Sequence, residues 1–318
     1  MISNSSKRGT RWILLMLAAM ATSLAASADP TTVASAQPEK PKHPARGPTF
    51  TSAATLRPKH AVSGKTESAL ISEIQLVEQM LTSTTAASPT HATVVRRLAE
   101  TYYELGRLKA DAAVALSAQI LATQKAKGDA TDDLAKRAKA RRMRDKCRVK
   151  AAEYYRRFLD DHATDPHADE VTYDLALQSD ESTADDATDA EEVKLAKDAH
   201  DQALKVFLEL VKNYPSSPFV APAYATYGDL YFDDAVAGKV TFDVALEAYG
   251  RVANIGDASD NGLWIYAHYK LGFVQWNLKS RADAIVELKR AIEAATKYSE
   301  QPGASAIKAD AEKALREI

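Results

Sequence analysis

The sequence predicts an all-α chain in which helix pairs stack into a solenoid, and three observations carry that expectation. The first is a recurring arrangement of small and large residues. Counting each helix pair from place 1, Ala203, Phe207, Leu210 and Pro215 stand at places 20, 24, 27 and 32 of one unit. Tyr224, Tyr227, Gly228 and Tyr231 stand at 4, 7, 8 and 11 of the next, with Ala245 and Tyr249 at its 20 and 24. Leu271 and Gly272, then Ala284, Leu288 and Ala291, complete a further unit with nothing inserted between its helices. Small residues at 8, 20 and 27 let two antiparallel helices approach closely, and large ones at 4, 7, 11 and 24 fill the space between them. The second observation is spacing: from place 27 of one unit to place 8 of the next the chain counts 18, 18 and 20 residues. The third is composition. Hydrophobic residues make up 46% of the chain, with only 12 glycines, which suits helices meeting at small-residue contacts and argues against a strand-rich fold.

Residues 1 to 28 carry the marks of a secretory signal peptide. Lys7, Arg8 and Arg11 form a basic start, Trp12 to Ala21 a short apolar core, and Ala26-Ser27-Ala28 offers small residues for cleavage before Asp29. The apolar run is too short to span a bilayer. No cysteine lies near the cleavage site, so a lipid-anchored form is not expected. Removing the signal takes away three of 41 basic residues and none of the 43 acidic ones, so the formal charge moves from −2 to −5. That balance argues against generic nucleic-acid binding.

Residues 29 to 64 hold Pro30, Pro38, Pro41, Pro44, Pro48 and Pro58 among small polar residues, and read as a disordered linker. Gly64-Lys65-Thr66 resembles the end of a phosphate-binding loop. The place of that motif's first glycine is held by Lys59 and no strand precedes it, so no nucleotide is expected.

The solenoid is expected over 65 to 318, as about four helix pairs. Leu70, Ile74, Val77 and Leu81 mark a first helix over Glu67 to Leu81, and Ser88-Pro89-Thr90 opens a second. Leu98, Ala99 and Tyr102 fill places 7, 8 and 11 of a first repeat, and Ala151, Tyr155 and Phe158 its 20, 24 and 27. Leu175 and Ala176 begin the second repeat, which Ala203 continues. The distance from place 8 to place 20 is 52, 27, 17 and 12 residues in the four repeats, so inserts of about 40, 15 and 5 residues stand at the turn between paired helices. The largest predicts a long helical hairpin over 90 to 161, with arms Thr90 to Lys127 and Thr131 to Asp161 and a turn at Lys127-Gly128-Asp129; Gly106 is an alternative break in the first arm. The second insert, residues 178 to 189, is acidic without apolar periodicity and reads as a mobile loop. Pro302-Gly303 precedes a last helix, Ala304 to Ile318, expected to cap the open end. Cys147, the single cysteine, falls on a stripe with Ala140, Met143, Ala151, Tyr154 and Phe158, and reads as a small buried apolar residue.

The repeat spacing resembles the tetratricopeptide repeat, and one stretch narrows the resemblance. Tyr214-Pro215-Ser216-Ser217-Pro218, followed by Ala221, Tyr224, Gly228 and Tyr231-Phe232, is similar to tetratricopeptide proteins of the bacterial envelope. Examples are the helical-repeat lipoprotein of the outer-membrane β-barrel assembly machine and the periplasmic coordinator associated with the Tol system. Tyr266-Ala267-His268-Tyr269-Lys270-Leu271-Gly272 resembles more closely the exported repeat proteins of myxobacteria, some of them in gliding-motility complexes. The resemblance covers about residues 90 to 298 and implies a periplasmic address, with association to the outer membrane as an extension of it. It also implies non-catalytic scaffold or adaptor work on envelope proteins or their peptide segments. A structural subunit of an envelope assembly or motility complex is the alternative.

No cofactor, metal or catalytic residue is expected. The densest polar cluster, Asp160, Asp161, His162, Asp165, His167, Asp169 and Glu170, reads as a polar turn between repeats, with metal-dependent enzyme chemistry as the weaker alternative. No zinc-protease helix motif, nucleophile elbow or dinucleotide loop occurs. Residues 136 to 150 carry nine basic residues against Asp145, and 180 to 192 carry seven acidic residues and no basic one. Such runs usually form solvated faces; a second reading is that the acidic insert screens the basic arm, since both inserts are expected on one edge of the solenoid. The basic arm, Lys136 to Lys150, also offers contact with anionic lipid headgroups or an acidic partner. The binding groove is expected where places 2, 5, 9 and 12 of a tetratricopeptide helix line the concave face. In the fourth repeat these are Tyr266, Tyr269, Phe273 and Trp276, an aromatic stripe; Asp229 and Phe232 extend it in the third, and Thr93, Arg96, Glu100 and Tyr103 are their counterparts in the first. The sequence also allows the last helix to fold over that stripe, or the helix that bears it to turn and bury Trp276.

Overall fold

The computed structural model describes residues 47–48, 64–180, 190–255 and 261–318. The expected signal peptide, nearly all of the proline-rich linker and residues 181–189 of the acidic insert lie outside them. Among the described residues the chain is all-helical, with no strand. Its helices are α1 (Glu67–Thr82), α2 (His91–Lys125), α3 (Thr131–Asp161), α4 (Ala168–Asp180), α5 (Ala190–Asn213), α6 (Val220–Val236), α7 (Asp243–Ile255), α8 (Asn261–Asn277), α9 (Arg281–Lys297) and α10 (Ala304–Glu317).

Local chemistry explains the boundaries. The Thr66 hydroxyl accepts from the Ala69 backbone N–H at 3.3 Å and caps α1, so Gly64-Lys65-Thr66 is a helix start. Lys65 turns back to pair with Glu73. The hairpin is present: α2 and α3 run 35 and 31 residues, arms about 50 Å long at about 1.5 Å per residue. Gly106 does not break α2. A Cβ there would stand 3.3 Å from the Cys147 Cβ, so the missing side chain lets α3 pack close at this point. At the tip Lys127 takes φ 55°, and the Asp129 carboxylate accepts from the Thr131 backbone N–H at 2.9 Å.

One boundary is corrected. Gln178, Ser179 and Asp180, read as the start of the acidic loop, finish α4. Gln178 and Ser179 are buried; the Gln178 amide donates to the Arg148 carbonyl and the Ser179 hydroxyl to Leu175 at 3.0 Å. Polar side chains that find internal acceptors leave no apolar period to read.

Each helix packs on the next in sequence, and α8 additionally reaches α6 and α10. Ala151, Ala203, Ala245 and Ala284, at place 20 of the four pairs, are wholly buried, and so is the large residue four places on in each: Tyr155, Phe207, Tyr249 and Leu288. Opposite them a Cβ on Gly228 would meet the Tyr249 ring at 2.7 Å, and one on Gly272 would meet Leu288 at 2.6 Å. Inner helices are buried on two sides. Ala223 and Leu230 of α6 join a cluster with α4 and α5, while Ala225 and Phe232 join another with α7 to α10. A third, smaller cluster ties α1 to the base of the hairpin through Leu70, Ile74, Leu98 and Cys147.

Candidate interaction surfaces

The aromatic stripe expected to line an open groove is core. Tyr266, Tyr269 and Phe273 of α8 are buried, as are Asp229 and Phe232 of α6, and only Trp276 keeps partial exposure. Two packing events cause this. First, α6 and α8 meet around a polar knot: Asp229 Oδ1 accepts from the Tyr249 and Tyr266 hydroxyls at 2.6 Å each and from Lys270 Nζ at 3.1 Å. Lys270 is 1% exposed and lies 4.2 Å from the Phe232 ring centroid, with Tyr249 and Tyr266 forming the other walls. Burial, then the Asp229 charge, push both tyrosine hydroxyls well above their usual pKa, so they remain donors. Second, α10 closes over α8 and α9, and the Tyr269 hydroxyl donates to Asp310. Phe273 packs edge-on to Tyr269, with centroids 5.2 Å apart. The signal for burial was present in sequence: from Leu263 to Trp276 apolar residues occupy every side of α8, and a helix apolar all round is buried.

The polar cluster between α3 and α4 is spent on the turn. Asp165 accepts from the His167 backbone N–H at 2.8 Å and Asp169 from that of Glu170 at 2.8 Å, while Arg157 lies 3.5 Å from Asp161. His162 turns away to His91, the wholly buried first residue of α2. Among the described residues no three histidine, cysteine, aspartate or glutamate side chains converge as a metal set. His268, read as a packing residue, is buried; its Nδ1 lies 2.5 Å from Glu287, beside a shallow cleft with Trp264 and Arg290.

The residues of α2 read as their counterparts are accessible: Thr93 is exposed and Arg96, Glu100 and Tyr103 are half-buried. Arg96, Glu100 and Tyr103 line a pocket of 280 Å³ with Lys65, Arg107 and Tyr155. Arg96 bridges Glu100 at 2.7 Å and Glu170 at 3.2 Å, so much of the polar lining neutralises itself.

A larger opening lies where α1 meets the hairpin. It measures 730 Å³, is open along one side, and is lined by Ile71 and Ile74 of α1, Tyr102 and Leu105 of α2, and Met143, Cys147 and Val149 of α3. Its walls are overwhelmingly apolar. The sequence placed Met143 on the buried stripe, but in the structure it is exposed among the residues that line this groove, whereas Cys147 is buried in a cluster with Leu70, Ile74 and Val77 of α1. Cys147 forms part of the floor; burial pushes its thiol up to about 11, which leaves it protonated and inert at neutral pH. Of 13 large apolar side chains exposed among the described residues, eight belong to α1, α2 and α3.

No family model matches the chain, and a search of curated proteins finds no match. Among the described residues no helix is long and apolar enough to cross a membrane.

Proposed function

We propose that the protein is a non-catalytic adaptor of the bacterial envelope, a tetratricopeptide-type solenoid that binds other envelope proteins through its N-terminal helices. The observation that carries this reading is the share of exposed apolar side chains on α1 and the hairpin, three of which, Ile71, Met143 and Val149, line a groove wide enough for a ligand. The repeat reading draws support from the burial of place 20 and place 24 in all four pairs and from the close approach at Gly228 and Gly272. The periplasmic address rests on the basic-apolar-small order of residues 1 to 28.

Crosslinking in the native cell, followed by affinity purification, tests the adaptor role. Several sub-stoichiometric envelope clients are expected. Recovery in fixed stoichiometry with one set of subunits would instead make the chain a structural part of an envelope complex. Mature protein from the periplasmic fraction is expected to begin at Asp29 or within a few residues of it; a soluble chain that starts at Met1 would remove the export reading.

A further inference from the structure

The groove between α1 and α3 has a rim as distinctive as its floor. Lys139, Arg142, Met143, Lys146, Val149 and Lys150 fall within one arc of α3, at spacings of three and four residues. Val149 is 68% exposed, and Ile71 answers it from α1 at 40%. Lys139, Arg142 and Lys146 are exposed and have no hydrogen-bond or ion-pair partner among the described residues. The two acidic groups of the lining are already engaged, Glu67 with Lys109 and Asp145 with Arg144. The groove is therefore an apolar trough whose lining keeps Lys146 as an uncompensated cation, Lys150 being paired with Glu153, while Arg142 and Lys139 continue the same arc of α3 beyond the lining.

We propose that this trough docks an acidic amphipathic helix of a partner protein, a surface more specific than the adaptor reading on which it rests. The lining of α1 runs from Glu67 to Gln75 and that of α3 from Met143 to Lys150. Each stretch is about 12 Å long at about 1.5 Å per residue, so it holds about two turns of a third helix. A helix laid there buries apolar side chains at i, i+3 or i+4, and i+7 against Ile71, Ile74, Tyr102 and Val149. Carboxylates flanking that stripe meet Lys146 in the lining and Arg142 on the same arc just beyond it, which supplies the charge complementarity that selects partner and orientation. The shape disfavours a bilayer. Ile74 and Cys147 lie at the bottom of a concave trough, and the rim carries no exposed tryptophan or phenylalanine that would insert among headgroups.

Three helical peptides of about 14 residues, or about four turns, test the proposal. They share one leucine stripe, with the remaining face glutamate, lysine or glutamine. Fluorescence anisotropy with the full chain is expected to show saturable binding of the glutamate peptide, at least about tenfold tighter than either other peptide, and weakening with added salt. Val149→Glu and Lys146→Glu, both on exposed side chains, are each expected to weaken that binding by about tenfold or more with helicity and melting unchanged. Leu208→Glu, exposed on α5, is expected to leave it intact. Equal binding of the three peptides, binding of none, or indifference to both groove variants would overturn the proposal. So would Val149-dependent binding to vesicles containing anionic phospholipid without binding of the glutamate peptide, which would make the trough a membrane contact, or concentration-dependent self-association abolished by Val149→Glu, which would make it a dimer face. Failure of the peptides leaves the adaptor reading to its own crosslinking result, so the two fail separately.

Discussion

Asp229 and Lys270 carry opposite charges in the middle of the second half of the chain, where water does not reach. Their pairing holds only because the surroundings complete it: two tyrosine hydroxyls on the carboxylate and an aromatic box around the ammonium. Removing one member strands the other, and breaking a buried pair costs about 3–5 kcal/mol. Asp229→Ala is therefore expected to lower stability by about that amount in urea unfolding, whereas exposed Glu247→Ala should change little. Close packing is the second residue-scale constraint. Gly272→Leu puts a branched side chain where a single Cβ would stand 2.6 Å from Leu288, itself wholly buried and unable to retreat. Overpacking typically costs about 1–3 kcal/mol, and an unchanged denaturation midpoint would disprove the packing described at this pair. Gly272 was legible in sequence because a small residue recurs at its place in every repeat. Lys270 was not, since a lysine in an apolar helix gives no sign of the carboxylate that faces it until α6 and α8 are brought together.

At the scale of elements, periodicity located the hairpin, its turn and the last helix, because each is set by local spacing and by turn residues. It misjudged the exposure of the aromatic stripe because the exposed side of a helix depends on which neighbours cover it. Three of the stripe's four residues on α8, Tyr266, Tyr269 and Phe273, are buried because α8 packs against α6, α7, α9 and α10, a fact of stacking order that no single helix encodes. The base of the hairpin shows the same dependence. His91 begins α2 and His162 caps the end of α3, and their rings meet with Nδ1 and Nε2 2.8 Å apart. Arg157 lies 3.3 Å from His91 Nε2. A guanidinium can only donate, so His91 accepts at Nε2 and donates from Nδ1 to His162, an arrangement that requires His91 neutral. Burial first, then Arg157 and His162, hold the His91 pKa below its usual value; Asp161 opposes them weakly. Above about pH 6.5 the folded and unfolded chains both keep this ring neutral, and its contribution to stability is complete. As the pH falls below that value the unfolded chain takes up a proton that the folded one resists, so stability is lost towards the lower folded pKa. Thermal melting followed from pH 7.5 down to 5.5 is expected to fall more steeply for the native chain than for His91→Gln. Equal slopes would remove His91 from the account.

The molecule as a whole is held together by contacts between successive helices, with three apolar clusters spread along its length and joined by two-sided helices such as α2 and α6. In such an arrangement stability is close to a sum of local terms and neighbour terms, so a defect weakens its own cluster more than a distant one. This bears on how the proposed docking end relates to the rest. The groove at α1 and α3 rests on the cluster of Leu70, Ile74, Leu98 and Cys147, whereas Gly272 and Lys270 belong to the opposite end. Native-state hydrogen exchange separates the two. Gly272→Leu is expected to speed exchange in α8, α9 and α10 and to leave α2 and α3 near the groove close to their native rates. The reverse experiment, Leu98→Ala in the N-terminal cluster, removes a wholly buried side chain, at a typical cost of about 2–5 kcal/mol. It should loosen α1 and the hairpin base while α8 to α10 stay protected. Uniform acceleration along the whole chain in both variants would mean that the helices unfold as one cooperative block, and that a ligand in the groove would stabilise the aromatic end as strongly as its own.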